Sequence, residues 1–141
     1  MDKTRILFVC IHNSARSQMA EALVNTYFGD KFTAESAGLE PGTLNPLVVK
    51  SMAEIGIDIS KNLTKDVFDF VKNGKFFNYV ITVCDEASGQ RCPIFPGAIK
   101  KINWSFEDPS TLKGTEEEKL AKISAIRDNI KTKLEDFLKT V

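Results

Sequence analysis

The stretch "RILFVCIHNSARSQMAEAL", residues 5–23, changes character at its middle. Arg5 to Cys10 is a near-continuous apolar run, as expected of a parallel strand covered on both faces. From Arg16 onward Met19, Ala20, Leu23, Val24, Tyr27 and Phe28 recur at three- and four-residue spacing, which predicts a helix that Gly29 can end. Ile11 to Ala15 form a tight loop between the two. Strand, tight loop and helix together open an α/β fold.

The rest of the chain continues the alternation. "FTAESAG" (residues 32–38) reads as a second strand. Asn45-Pro46 supplies an N-cap and a first-turn proline for a helix carrying Leu47, Val48, Met52 and Ile55, stopped at Gly56. Thr64 is the expected cap of a short helix with Val67, Phe68 and Val71, ended by Asn73-Gly74. "FNYVITVC" (77–84) is a second buried-strand pattern ending in a cysteine. "AIKKINW" (98–104) reads as an edge strand because two lysines interrupt it. Thr115 and Glu118 form a capping box, and Leu120, Ile123, Ile126, Ile130, Leu134 and Phe137 line one face of the helix that follows. These elements predict an α/β three-layer single domain over residues 1–141, with about four parallel strands and helices on both faces.

Composition narrows the function. Lys+Arg and Asp+Glu both number 19, which points to neither nucleic acid nor an anionic membrane. No apolar run is long enough to span a bilayer, and no signal-peptide pattern is found. The three cysteines, Cys10, Cys84 and Cys92, are odd in number and unevenly placed. That argues for reduced, working thiols in the cytoplasm and against a disulfide-stapled secreted scaffold. Zero net charge makes a monomer the expected state.

In parallel α/β sheets ligands bind beyond the carboxyl ends of the strands. Cys10 and Cys84 each end a strong strand, and neighbouring strands lie only ~4.8 Å apart, so both thiols are expected at one rim. The amides of Ile11, His12, Asn13, Ser14, Ala15, Arg16 and Ser17 would converge with the positive end of the helix dipole into an oxyanion cradle. Arg16 would close that cradle with a planar fork. The same field favours the thiolate of Cys10. Ser17 is expected to donate to the sulfur, Asn13 to hold a strained backbone conformation, and His12 to be an exposed loop residue without a role as base. The competing reading of Cys10 and Arg16 is a strand-end thiol and a surface helix residue.

"VCIHNSARSQMAEAL" resembles the anion loop of the thioredoxin-coupled arsenate reductases, which share their fold and Cys-x5-Arg-Ser loop with the low-molecular-weight tyrosine phosphatases. The likeness extends through "AESAGLEP", "GIDIS", "VITVC", "CP" and "WSFEDP" to about Ser110. It implies that Cys10 attacks arsenate, that Cys84 then attacks Cys10 to release arsenite and form a Cys10–Cys84 disulfide, and that Cys92 moves the disulfide to Cys84–Cys92 for reduction by thioredoxin. It also implies Asp108 as a general acid, with Glu107 the neighbour mistaken for it. No cofactor is required, although in some members Asn13, Glu21, Ser36 and Asp66 would fall where potassium ligands are carried. Seven residues lie between Cys84 and Cys92, where the pattern carries six.

Spacing adds a geometric expectation. A helix across residues 84–92 would rise ~12 Å, whereas a disulfide needs Cα atoms ~4.4–6.8 Å apart. "DEASGQR" (85–91) is therefore expected to act as a redox-coupled hinge, helped by Ser88-Gly89 and halted by Pro93. Two other functions stand beside the reductase. One is a small phosphomonoesterase using Cys10, Arg16 and Asp108, with weak phosphatase activity expected in either case. Ser110 and Thr111 follow Asp-Pro where the small phosphatases usually carry aromatics, which weakens that reading. The other is a non-catalytic oxyanion-binding module, which would need no nucleophile.

Overall fold

The computed structural model describes residues 3–84 and 91–141. In chain order its elements are β1 (Thr4–Cys10), α1 (Arg16–Tyr27), β2 (Phe32–Gly38), α2 (Pro46–Ala53), α3 (Val67–Lys72), β3 (Tyr79–Thr82), β4 (Lys100–Asn103), a 3-10 turn (Pro109–Thr111) and α4 (Glu116–Leu138). The four strands form one parallel sheet in the order β2-β1-β3-β4. β1 is central. Its register brings Cys10 opposite Gly38 on one side and Val9 opposite Thr82 on the other.

The pleat of β1 divides the interior in two. Ile6, Phe8 and Cys10 join Met19, Leu23, Val48, Met52, Ile123, Ile130 and Leu134 beneath α1, α2 and α4. Leu7 and Val9 join Val67, Phe70, Phe77, Val80, Cys92 and Phe95 on the other face, under α3 and the 92–95 segment. This is a three-layer α/β arrangement, with helices on both faces of the parallel sheet. Each large aliphatic buried in these layers contributes about 1.5–3 kcal/mol relative to exposure, so the sheet is held from both faces.

Local chemistry accounts for most element ends. Asn45 Oδ1 accepts the Leu47 N–H at 2.9 Å, with Pro46 in the first turn. Thr115 caps α4: Glu118 N–H donates to Thr115 Oγ1, and the Thr115 hydroxyl donates to Glu118 Oε1, both at 3.1 Å, so the carboxylate takes the hydroxyl proton and only the threonine half of the box forms. Gly74 takes a φ of 71° just past α3. β4 is an edge strand with Lys100 and Lys101 exposed.

The cap of α3 differs from expectation. Asp66, not Thr64, accepts the first-turn amide, from Phe68 N–H at 2.8 Å. The Thr64 hydroxyl instead donates to the Gly42 carbonyl at 2.6 Å. Thr64 precedes the helix by too many residues for its oxygen to reach a second- or third-position amide. α4 also buries a charge outside its apolar stripe: Arg127 donates to the Ser51 carbonyl at 2.6 Å and to Glu54 at 3.1 Å. Those bonds satisfy a guanidinium that would be costly to bury alone.

Candidate active site

The loop between β1 and α1 is tied down along its carbonyls. Cys10, Ile11, His12 and Ser14 carbonyls accept from the N–H groups of Leu39, Glu40, Gly42 and Asn45 at 3.1, 2.7, 3.0 and 2.9 Å. With those acceptors turned toward residues 39–45, the opposite side of the loop is left to amides around the Cys10 sulfur. Asn13 N–H donates to Cys10 Sγ at 3.2 Å. Asn13 reaches that position with a φ of 54°, the left-handed region that asparagine tolerates better than most residues. It is the one non-glycine with positive φ among the described residues.

Gly38 explains how the loop lies so flat. A Cβ there would sit 2.8 Å from the Ile11 carbonyl, 2.9 Å from Asn13 N and 3.0 Å from His12 carbonyl carbon. All three are backbone atoms with little room to yield. Nothing in a single pass along the chain marks this glycine, because the atoms it makes way for lie about 25 residues earlier.

Side chains continue the cradle below the loop. The Ser17 hydroxyl lies 2.8 Å from Cys10 Sγ. Asn13 Nδ2 donates to Ser17 Oγ at 2.8 Å, which leaves the serine proton available to a Cys10 thiolate. Arg16 lies across the mouth with its side chain 7 % exposed. Its Nη1 donates to the Phe106 carbonyl at 3.0 Å, and its Nη2 lies 3.7 Å from Asp108 Oδ2. Asp108 Oδ1 meanwhile accepts from the Ser110 amide at 2.9 Å and hydroxyl at 2.8 Å. The Asp-Pro turn therefore both starts the 3-10 turn and aims one carboxylate oxygen at the arginine. Glu107 makes no such approach. His12 is exposed, its Nδ1 2.8 Å from the Glu40 carbonyl.

The three cysteines are all reduced and buried, and they divide between the two cores. Cys10 and Cys84 belong to the core beneath α1 and α4. Val83 N–H donates to the Val9 carbonyl at 2.8 Å, so the chain leading to Cys84 runs directly beside the end of β1. Cys92 belongs to the other core, across the sheet. Its thiol donates to the Pro93 carbonyl at 3.6 Å. Burial pushes the Cys92 thiol up to about 11, a push that Lys101 opposes and Cys84 adds to. The hinge expected over 85–91 lies outside the described residues except for Arg91, which pairs with Glu40 at 2.8 Å.

The expected potassium ligands do not form a cation cage. Ser36 donates to Glu21 Oε1 at 3.2 Å, and the Lys65 ammonium stands 3.5 Å from the same oxygen. Asn13 Oδ1 is taken by Lys65 N–H at 2.9 Å and Gln18 Nε2 at 3.1 Å, while Asp66 caps α3. Among the described residues no three His, Cys, Asp or Glu side chains converge on a metal-sized site. These contacts give the potassium expectation no support, since the ammonium of Lys65 already faces the partly buried Glu21 carboxylate. Burial raises the Glu21 pKa from its ordinary value, and Lys65 and Ser36 pull against that. Lys65, Gln18 and the Phe106 carbonyl are site components that local sequence reading missed; their partners are 44 to 90 residues away.

No helix among the described residues is long and apolar enough to cross a membrane. Residues 5–141 match the family described as low molecular weight phosphotyrosine protein phosphatase. The chain is 43 % identical over 142 residues to the arsenate reductase of Bacillus subtilis (strain 168), covering 99 % of both. A solved arsenate reductase in its oxidized state superposes with a TM-score of 0.80 at 28 % identity, over 97 % of this chain and 98 % of that one. A thioredoxin-dependent arsenate reductase from Corynebacterium glutamicum matches at 30 % identity and a TM-score of 0.65, over 94 % of this chain and 62 % of that one. A loop of this geometry, the three-layer sheet that carries it and these likenesses agree: the chain belongs to the low molecular weight phosphotyrosine protein phosphatase family, with arsenate reductases among its full-length relatives.

Proposed function

We propose that this chain reduces arsenate to arsenite by a relay of three thiols recharged by thioredoxin. Arsenate enters the amide cradle of residues 11–17 with two oxygens on the Arg16 fork. The Cys10 thiolate attacks arsenic, and Asp108 protonates the departing hydroxyl, which leaves as water. The Cys84 thiolate then attacks Cys10 Sγ. The sulfur–arsenic bond breaks, its electron pair stays on arsenic, and arsenite leaves a Cys10–Cys84 disulfide. Cys92 attacks Cys84 in turn, freeing the Cys10 thiolate and leaving a Cys84–Cys92 disulfide for the thioredoxin dithiol.

The observation that carries the reading is the Cys10 sulfur, held by Asn13 N–H and the Ser17 hydroxyl while Arg16 and Asp108 face each other at the mouth. The strand leading to Cys84 runs alongside. An arsenate reductase matched over its full length supports the substrate, and the thioredoxin-dependent arsenate reductase matched over 62 % of its length supports the reductant. The cycle uses no cofactor on the chain and fits a monomer in a reducing cytoplasm. Phosphate has the charge and shape of arsenate, so slow aryl phosphate hydrolysis by Cys10, Arg16 and Asp108 accompanies it as a side activity.

The test couples arsenate to thioredoxin, its reductase and NADPH. Wild type turns over, whereas Cys84→Ser and Cys92→Ser do not; Cys92→Ser still releases about one arsenite per chain in a single turnover. Fast aryl phosphate hydrolysis, equal in all three proteins and without NADPH loss, would replace the reductase with a phosphatase.

A further inference from the structure

Gln18 is fully buried in the first turn of α1, and the sequence singles it out for nothing. Its side chain makes three hydrogen bonds. Nε2 donates to Asn13 Oδ1 at 3.1 Å and to the Leu63 carbonyl at 3.0 Å, and Oε1 accepts from Asn62 Nδ2 at 3.1 Å. A buried amide of this kind is retained only if its orientation is satisfied on every side.

The orientation can be deduced from backbone groups that have no choice. The Leu63 carbonyl can only accept, so the atom of Gln18 beside it is the amide nitrogen. The Lys65 N–H can only donate, so the atom of Asn13 beside it is the oxygen. Asn13 therefore turns Nδ2 toward Ser17 Oγ and spends a serine lone pair there. Once Cys10 is a thiolate, which can only accept, the serine proton has that sulfur as its acceptor at 2.8 Å. A flipped Asn13 amide would offer its oxygen to Ser17 and allow the hydroxyl to turn away from sulfur. Two donors hold Asn13 against that flip, and Gln18 is the one supplied by a side chain.

We propose that Gln18 is a positioning residue of the Cys10 site. It relays the fixed polarity of the 62–65 segment through Asn13 and Ser17, so that a Cys10 thiolate meets a donated proton. Gln18 touches neither sulfur nor oxyanion. Its effect is on how readily the sulfur exists as thiolate, through a hydrogen bond that favours the charged form. The proposal rests on Cys10 being the nucleophile but not on the identity of the substrate.

The experiment measures iodoacetamide labelling of Cys10 against pH in the full chain, read by peptide mass, for wild type, Gln18→Met and Gln18→Glu. Gln18→Met keeps the length and packing without a polar group, and Gln18→Glu replaces the donor by an oxygen facing two acceptors. The pH midpoint of Cys10 labelling rises by roughly one unit in Gln18→Met, which slows labelling about tenfold below the midpoint, and rises further in Gln18→Glu. A folded Gln18→Met whose midpoint coincides with wild type overturns the proposal. Should neither variant fold, wild type carrying 15N decides. The side-chain amide resonances of Gln18 and Asn13 shift with the Cys10 midpoint, and a Gln18 amide blind to that titration overturns it. Absence of arsenate turnover in wild type, with these shifts intact, would remove the reductase reading and leave Gln18 in place.

Discussion

Cys10 and Cys92 are both buried thiols in one small sheet, and their surroundings are opposite. Around Cys10 the backbone is bent to φ 54° at Asn13 so that an amide donates to the sulfur, and the Ser17 hydroxyl lies 2.8 Å away to donate to a thiolate. Cys92 sits among Leu7, Val9, Phe77, Val80 and Phe95 on the other face, and there the sulfur is the donor. The first environment supports a negative charge and the second resists one. Chemistry at a cysteine is thus assigned by which way the neighbouring hydrogen bonds run, and burial alone says little about it. In the proposed relay the contrast gives an order. Cys10 is prepared before substrate arrives, and Cys92 has to leave its pocket before it can attack.

Opening the Cys92 pocket gives the largest effect. Phe95 is buried and meets Phe77 edge-on at 5.6 Å between ring centres. Phe95→Ala is expected to lower stability by about 3 kcal/mol in urea unfolding. It should also speed alkylation of Cys92 while leaving sulfate affinity at the Cys10 loop unchanged. Loss of sulfate binding in that variant would mean the two environments are not separable.

Crowding the loop is the converse perturbation. Gly38→Ala drives a methyl against backbone at 2.8–3.0 Å, and the structure has to shift at an expected cost of roughly 1–3 kcal/mol. Isothermal titration should show sulfate or phosphate affinity falling, with Cys92 labelling kept at its wild-type rate. Unaltered anion affinity would show that the loop has slack that its tied carbonyls do not suggest.

The smallest effect is a pH dependence of stability. Cys92 titrates from 9.0 in the unfolded reference to about 11 when buried. Between those values the unfolded chain has lost the proton and the folded chain has kept it, so stability falls as pH rises through that window. Comparing wild type with Cys92→Ala from pH 8 to 11 should show a shallower decline in the variant. Equal slopes would mean the buried thiol is not what the alkaline limb reports.

Much of this was legible along the chain. The β1–loop–α1 unit, the Asn45-Pro46 start and the Thr115 cap depend on residues a few positions apart, where propensity and periodicity act directly. The turn that Asp108 starts was legible as well, because it is itself local. The cap of α3 went astray because Thr64 and Asp66 both have capping side chains, and the Gly42 carbonyl claims one of them. The potassium set finds no support for a related reason: Lys65 reaches Glu21 from 44 residues away and answers its charge.

From order and spacing alone came a parallel α/β sheet, a thiol at the end of its first strand, and an arginine one loop further on. Those features arise from neighbours in sequence, whose geometry the covalent chain already constrains. Folding had to supply the close approach of Gly38 to the loop, the line of amides from Leu63 through Gln18 and Asn13 to Ser17, and the separation of Cys92 from Cys10 by the sheet. Each joins atoms whose distance is set by packing, and packing acts on residues that the chain brings together only once the sheet has closed.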